Sequence, residues 1–164
     1  MAEIICTGAA LGFRVGARLS EVAEDMPLQY ADDIQGKREN RVLRRDYGIL
    51  EVTCIDQPDW VIQSVTVQVH RLASLPGLRR SMSEIFQVDC EPYIAWWEVE
   101  EELRKRADLR LIERELNYPG YRIVHADSTG VSAYVVKDPE VERGTYPADG
   151  DLWSLEVISP DFMS

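Results

Sequence analysis

The residues that usually build catalytic and metal centres are scarce in this chain. Its 164 residues include two histidines, His70 and His125, and three widely spaced cysteines, Cys6, Cys54 and Cys90. No CxxC pair occurs, so neither a zinc knuckle nor a thioredoxin-type redox motif is present. Zinc and iron sites need several ligands at close spacing, and none surrounds either histidine. Three unpaired thiols suit a reducing compartment, and the core is the ordinary place for a free cysteine. No run of 18 apolar residues exists, which excludes a membrane-spanning helix. Residues 1–16 lack the basic start and long apolar stretch of a secretion signal. Together these absences point to the cytoplasm.

Phosphate-binding motifs are missing too. Gly8, Gly12 and Gly16 follow the apolar run Ile4-Ile5-Cys6. A dinucleotide turn needs GxGxxG and a P-loop needs Gly-Lys-Ser/Thr, and no lysine occurs before Lys37. These glycines read as backbone turns, with 12–16 leading into the first helix.

Positive charge is in short supply. The net charge is −11. Residues 1–82 carry 10 Lys/Arg against 11 Asp/Glu, and residues 83–164 carry 8 against 18. Almost all the acidic excess therefore belongs to the second half. An acidic surface repels phosphate backbones, which argues against nucleic-acid binding. It attracts a basic partner and speeds the encounter. Hydrophobic residues at 45% and charged residues at 29% are the proportions of a folded chain.

The hydrophobic pattern predicts α+β. Leu19, Val22 and Met26 place one helix over 19–26, with Ser20 as its N-cap and Pro27 as its stop. Residues 28–40 read as a polar loop and 41–45 as a short edge strand. Residues 47–55 and 61–72 alternate, with Leu50, Val52, Cys54, Val65, Val67 and Val69 on the apolar side. Their other side carries Glu51, Thr53, Ser64, Thr66, Gln68 and His70, the pattern of a half-wet antiparallel sheet. Pro76-Gly77 breaks the chain, and 73–91 is irregular apart from a helical turn at 83–86. A second helix starts after Pro92 and runs to about Arg106, with Trp96, Val99 and Leu103 inward and Glu98, Glu101 and Glu102 outward. Residues 109–116 fit helix or strand, and 117–120 fit a turn. Strands at 121–126 and 131–137 flank a hairpin loop, 138–151 is an acidic loop, and 152–158 is the last strand. The order predicts two helix-then-antiparallel-strands units, each with about three strands, divided near residues 76 and 77. They form one domain over 1–164, and a tandem repeat is a possibility raised only by element order.

No catalytic constellation emerges. Cys54 and His70 on neighbouring strands invite a nucleophile–base pair, but Cys54 shares its face with Leu50 and Val52. Asp149-Gly-Asp151 lacks the other ligands of a calcium loop. The remaining acidic pairs have the placement of solvated charge rather than of shielded acid–base carboxyls. No cofactor and no metal are expected. Trp97, next to inward Trp96, and Trp153 and Tyr134 are candidate exposed aromatics, and aromatics ringed by acid suit a protein interface.

Residues 45–52 (RDYGILEV) and 64–72 (SVTVQVHRL) resemble stretches of small uncharacterised actinobacterial proteins. Ala95-Trp-Trp-Glu-Val, Gly130-Val-Ser-Ala-Tyr-Val-Val and Asp151-Leu-Trp-Ser-Leu are similar to the same group. Such proteins look like immunity proteins, and the resemblance implies a chain that occludes a toxin and has no active residues of its own. The element order is also similar to the tandem repeat of β-lactamase inhibitory proteins, whose secretion signal and disulfide pattern this chain lacks. The expected function is thus a protein-binding module for a basic target such as a nuclease cleft. Its expected surface comprises Glu98, Glu101, Glu102, Asp149 and Asp151, with Trp97 as an anchor. Two other readings stand beside it: a ligand-binding or enzymatic domain with a helix–sheet pocket, and a structural subunit with a large apolar interface.

Overall fold

The computed structural model describes residues 1–37, 40–57, 59–106, 109–114 and 119–159. The chain opens with a short helix α1 (Ala2–Thr7) and a two-stranded ribbon of β1 (Ala9–Ala10) and β2 (Phe13–Arg14). Helix α2 (Leu19–Ala23) follows, then strands β3 (Ala31–Gln35), β4 (Val42–Asp46), β5 (Leu50–Ile55) and β6 (Val61–Val67). Three helices come next: α3 (Arg71–Ser74), α4 (Pro76–Phe86) and α5 (Trp96–Arg104). Strands β7 (Leu111–Arg114), β8 (Tyr121–Ala126), β9 (Val131–Val136) and β10 (Leu152–Ile158) complete the chain. The fold is α+β with one large antiparallel sheet, as the period-two pattern predicts.

That sheet has eight strands in the order β3-β4-β5-β6-β10-β9-β8-β7. Two four-stranded meanders, β3–β6 and β7–β10, join along their final strands. At this seam Ser64, Val65, Thr66 and Val67 pair antiparallel with Ile158, Val157, Glu156 and Leu155. Each half therefore supplies four strands, one more than the periodicity predicts. The extra strand in the first half is β3, which lies in a segment expected to be a loop. All five of its residues are exposed, which removes the alternation that would have marked it. A polar, fully wet outer strand guards an open sheet edge against pairing with other chains. It also makes β4 an internal strand rather than an edge.

One face of the sheet is the core. Leu43, Leu50, Val52, Cys54, Ile62, Val65, Val67, Val124, Ala126, Val131, Ala133, Val135, Leu152, Leu155 and Val157 point to it, and all are under 7% exposed. Buried residues of α1, α2, α3, α4 and α5 join them in a single cluster. Trp96, Val99 and Leu103 of α5 are inward as the spacing predicts. Each fully buried side chain of this size contributes about 1.5–3 kcal/mol.

Helix starts depart from expectation in two places. The cap of α2 is Arg18, whose backbone N–H donates to the Glu21 carboxylate at 3.4 Å, and Ser20 already lies inside the helix. Pro76 does not break the chain but occupies the first turn of α4, where its missing N–H costs nothing. The span 73–91 thus contains an 11-residue helix. Residues 1–16 hold α1 and the ribbon, so the helix at 19 is the second, and 12–16, expected to lead into the first, contribute β2. Gly8 closes α1 in the left-handed conformation, its N–H donating to Ile4 O at 2.8 Å. A β-carbon there would stand 3.0 Å from the Thr129 carbonyl. Residues 111–114 are strand, and the expected turn at 117–120 lies partly outside the described residues.

Candidate functional site on the open face of the sheet

Buried side chains of the helices pack on one face of the sheet, and the other face is part-buried, with Arg71 at the start of α3 paired to its carboxylates. Its two halves carry different chemistry. Across β4, β5 and the chain after β6, the open face is a ladder of ion pairs. Arg44 donates to Glu51 at 2.6 Å, Arg71 reaches Asp46 at 2.9 Å, and Arg71 also lies 3.6 Å from Glu51. Arg71 additionally donates to the Gly48 carbonyl at 2.7 Å, which fixes the β4–β5 turn. Burial moves in the opposite sense for Arg44, yet the Glu51 hydrogen bond prevails and raises its pKa.

Across β8, β9 and β10 the face is aromatic and hydroxylated. Tyr121, His125, Ser132, Tyr134, Trp153, Ser154 and Glu156 occupy it. Ile123 and Val136 are buried here at 2% and 7% exposure, outside the helix-side cluster. Trp153 sits at a register shift between Leu152 and Ser154, which turns its indole out of the core. The ring stacks on His70 with centroids 4.2 Å apart and planes 7° from parallel. Tyr121 meets it edge-on at 5.6 Å, and Tyr146 leans on it at 5.9 Å. Each such ring pair contributes about 0.5–1.5 kcal/mol beyond area burial. The Tyr134 hydroxyl donates to Glu156 at 2.9 Å. Where the two halves meet, Thr66, Gln68, Tyr121, Tyr134, Trp153, Ser154 and Glu156 line a shallow depression of about 360 Å³.

Both histidines belong to this half. His70, which the periodicity places on the wet side of a strand, instead precedes α3, and its backbone N–H donates to Trp153 O at 2.9 Å. Burial lowers its pKa, and its Nδ1 is buried without a hydrogen-bond partner among the described residues. His125 Nδ1 lies 3.1 Å from Ser132 Oγ, and burial lowers its pKa as well. Cys54 lies on the opposite face at 0% exposure, where burial pushes its thiol up to about 12. A thiol in that state is not a nucleophile. Among the described residues no group of three or more His, Cys, Asp or Glu is placed to hold a metal ion.

Of the residues expected at an interface, Trp97, Glu98, Glu101 and Glu102 lie on α5, whereas Trp153 and Tyr134 lie on the open face and are half-buried. Trp97 is 63% exposed on α5, and Glu98, Glu101 and Glu102 are exposed beside it. Lys105 pairs with two of these carboxylates, lying 2.9 Å from Glu102 and 3.6 Å from Glu101. Asp149 is exposed and accepts the Asp138 N–H at 2.9 Å. Asp151 does not belong to any surface. It is 1% exposed, receives both arms of Arg143 at 2.6 and 2.9 Å, and accepts the Ala148 N–H at 3.0 Å. Its carboxylate organises the 138–151 loop from inside. Backbone bonds from Trp96 N to Gly150 O and from Leu152 N to Ile94 O bring that loop against the start of α5. The expected acidic surface is thus contiguous at Asp149 and α5, but one of its carboxylates is interior and two are already paired.

Three of the open-face residues have a sequence signal. Trp153, Tyr134 and Thr66 each alternate with buried neighbours, but nothing local marks which strands of the two halves adjoin. Between α2 and the sheet, Leu19, Ser20, Ala23, Arg45, Asp59 and Trp60 line a second cleft of about 240 Å³. That is below the usual range for a small-molecule site. Comparison with protein-family models, curated proteins and solved structures finds no match to this chain. Among the described residues no helix is long and apolar enough to cross a membrane.

Proposed function

We propose that this chain is a protein-binding module that occludes a basic partner through the open face of its sheet. One observation carries the reading. Buried side chains of the helices pack on one face of an eight-stranded sheet, and the other face presents stacked aromatic rings beside the Glu156 carboxylate at the seam of the two meanders. Aromatic rings held rigid by stacking lose little entropy on binding and make good interface anchors. Net charge of −11 selects a positively charged partner and accelerates its approach. The resemblance to immunity proteins adds the biological form of the proposal: the partner is a toxin with a basic cleft, such as a nuclease. Three unpaired thiols suit a reducing compartment, and the reading places the protein in the cytoplasm.

The docking surface in this proposal is the sheet, not the α5 surface that the charge pattern favours. The test is a pull-down from the native host, followed by a binding assay with the purified partner and two sets of variants. Thr66→Arg with Glu156→Lys should abolish binding, while Glu98→Lys with Glu101→Lys and Glu102→Lys should slow association by only a few fold. Loss of binding in the α5 variant alone overturns the assignment of the face.

A further inference from the structure

We infer that the depression at the seam is an anchor pocket for one arginine side chain of the partner. The inference rests on the open sheet face being the docking surface. It begins with the charge of Glu156. That residue is half-buried on β10, and among the described residues no Lys or Arg nitrogen lies within 4.0 Å of its carboxylate. Other carboxylates of the face are spoken for: Glu51 has Arg44 and Arg71, and Asp46 has Arg71. A half-buried carboxylate with no internal cation keeps its charge available for a charge-assisted hydrogen bond from a partner.

The surroundings select the kind of cation. Tyr134 holds Glu156 through its hydroxyl, which settles the position of the carboxylate and leaves it lone pairs to share. Tyr121 and Trp153 wall the same depression, and Trp153 is braced by His70 and by Tyr121. Thr66, Gln68 and Ser154 supply neutral oxygen acceptors around it. Aromatic walls, one carboxylate and polar acceptors are the complement of a flat, multi-donor cation. A guanidinium stacks on rings and forks onto a carboxylate, whereas a lysine ammonium is a compact and strongly hydrated point charge. Arg44 and Arg71, on the same face, do not oppose entry because Glu51 and Asp46 pair with them. The depression is shallow, as suits a side chain arriving on a larger body rather than an enclosed small molecule.

The test uses the whole chain, labelled with ¹⁵N, titrated with the blocked tripeptide Gly-Arg-Gly and with its citrulline counterpart, which keeps the shape and loses the charge. Expected are amide shifts at Thr66, Trp153, Ser154 and Glu156, and at the Trp153 indole N–H, with affinity on the order of millimolar. Citrulline should bind at least about tenfold more weakly, and Glu156→Gln should weaken the arginine peptide by roughly the same factor. Trp153→Phe, which keeps a ring, should weaken it by less than Glu156→Gln. An unchanged spectrum away from the seam verifies that each variant is folded. Equal binding of the citrulline peptide, or shifts confined to α5, overturns the anchor. If the peptide fails while the whole partner still depends on the open face, the anchor alone is wrong. If the partner depends only on α5, the docking face itself is wrong.

Discussion

Leu155 and Glu156 are neighbours on β10 and live in different media. Leu155 faces the helices at 0% exposure, and Glu156 faces the open side of the same sheet. The helix-side face is closed and chemically complete: apolar side chains meet apolar side chains. Over its first half the open face pairs arginines with carboxylates, and over its second it stacks rings on Trp153 and holds Glu156 by the Tyr134 hydroxyl, with no Lys or Arg within 4.0 Å of that carboxylate among the described residues. Under the proposed function, stability and recognition are divided between the two sides of one strand.

The comparison breaks most visibly at Leu155. Leu155→Ala should cost about 2–5 kcal/mol in urea unfolding. Glu156→Gln should change the same measurement by less than about 0.5 kcal/mol while weakening partner binding. If the two variants destabilise equally, the faces are not divided as described. Asp151→Asn should cost about 1–3 kcal/mol, because the Arg143 pair and the Ala148 N–H lose a charged acceptor. Hydrogen exchange should quicken in 138–151 more than elsewhere. Glu51→Gln should cost about 1–2 kcal/mol by leaving Arg44 and Arg71 short of a partner. Under the same denaturation assay, an unchanged midpoint would show that the ladder is only solvated charge.

The smallest effect concerns pH. The folded pKa of His70 and of His125 lies below the ordinary 6.5 because burial disfavours the cation. The unfolded chain therefore binds protons first as pH falls. The stability that the neutral rings contribute is fully present above 6.5 and is lost as pH falls through the lowered folded values. His70→Gln should flatten part of the decline in thermal midpoint below pH 6.5, and His125→Gln the remainder. An unaltered slope in both variants would leave carboxylates as its cause.

Much of the fold was legible because its signals are local. Leu50, Val52 and Cys54, or Trp96, Val99 and Leu103, reveal their period within a few residues. β3 was not legible, because an exposed outer strand has no apolar face to alternate, and what holds it is Arg45. That side chain donates to Asp32 at 2.7 Å and lies over Tyr30 at 3.8 Å from the ring centroid. α4 was hidden behind Pro76, which can either break a helix or start one. The site was less legible than the fold. Charge counting located the acidic half but could not tell interior Asp151 from exposed Asp149. Glu156 became notable only once β10 was known to lie beside β6, a pairing that no local spacing encodes.

That seam has a kinetic consequence. Within each meander all strand connections but the 137–151 loop are short, and hairpins of that kind form within microseconds. The seam instead joins residues 64–67 to residues 155–158, so its closure waits on a search over most of the polypeptide. Until then β6 and β10 each present a bare edge flanked by valines and leucines. Two chains caught at that stage can trade meanders, each sealing the other's edge, and the swapped dimer would be the characteristic misassembly of this architecture.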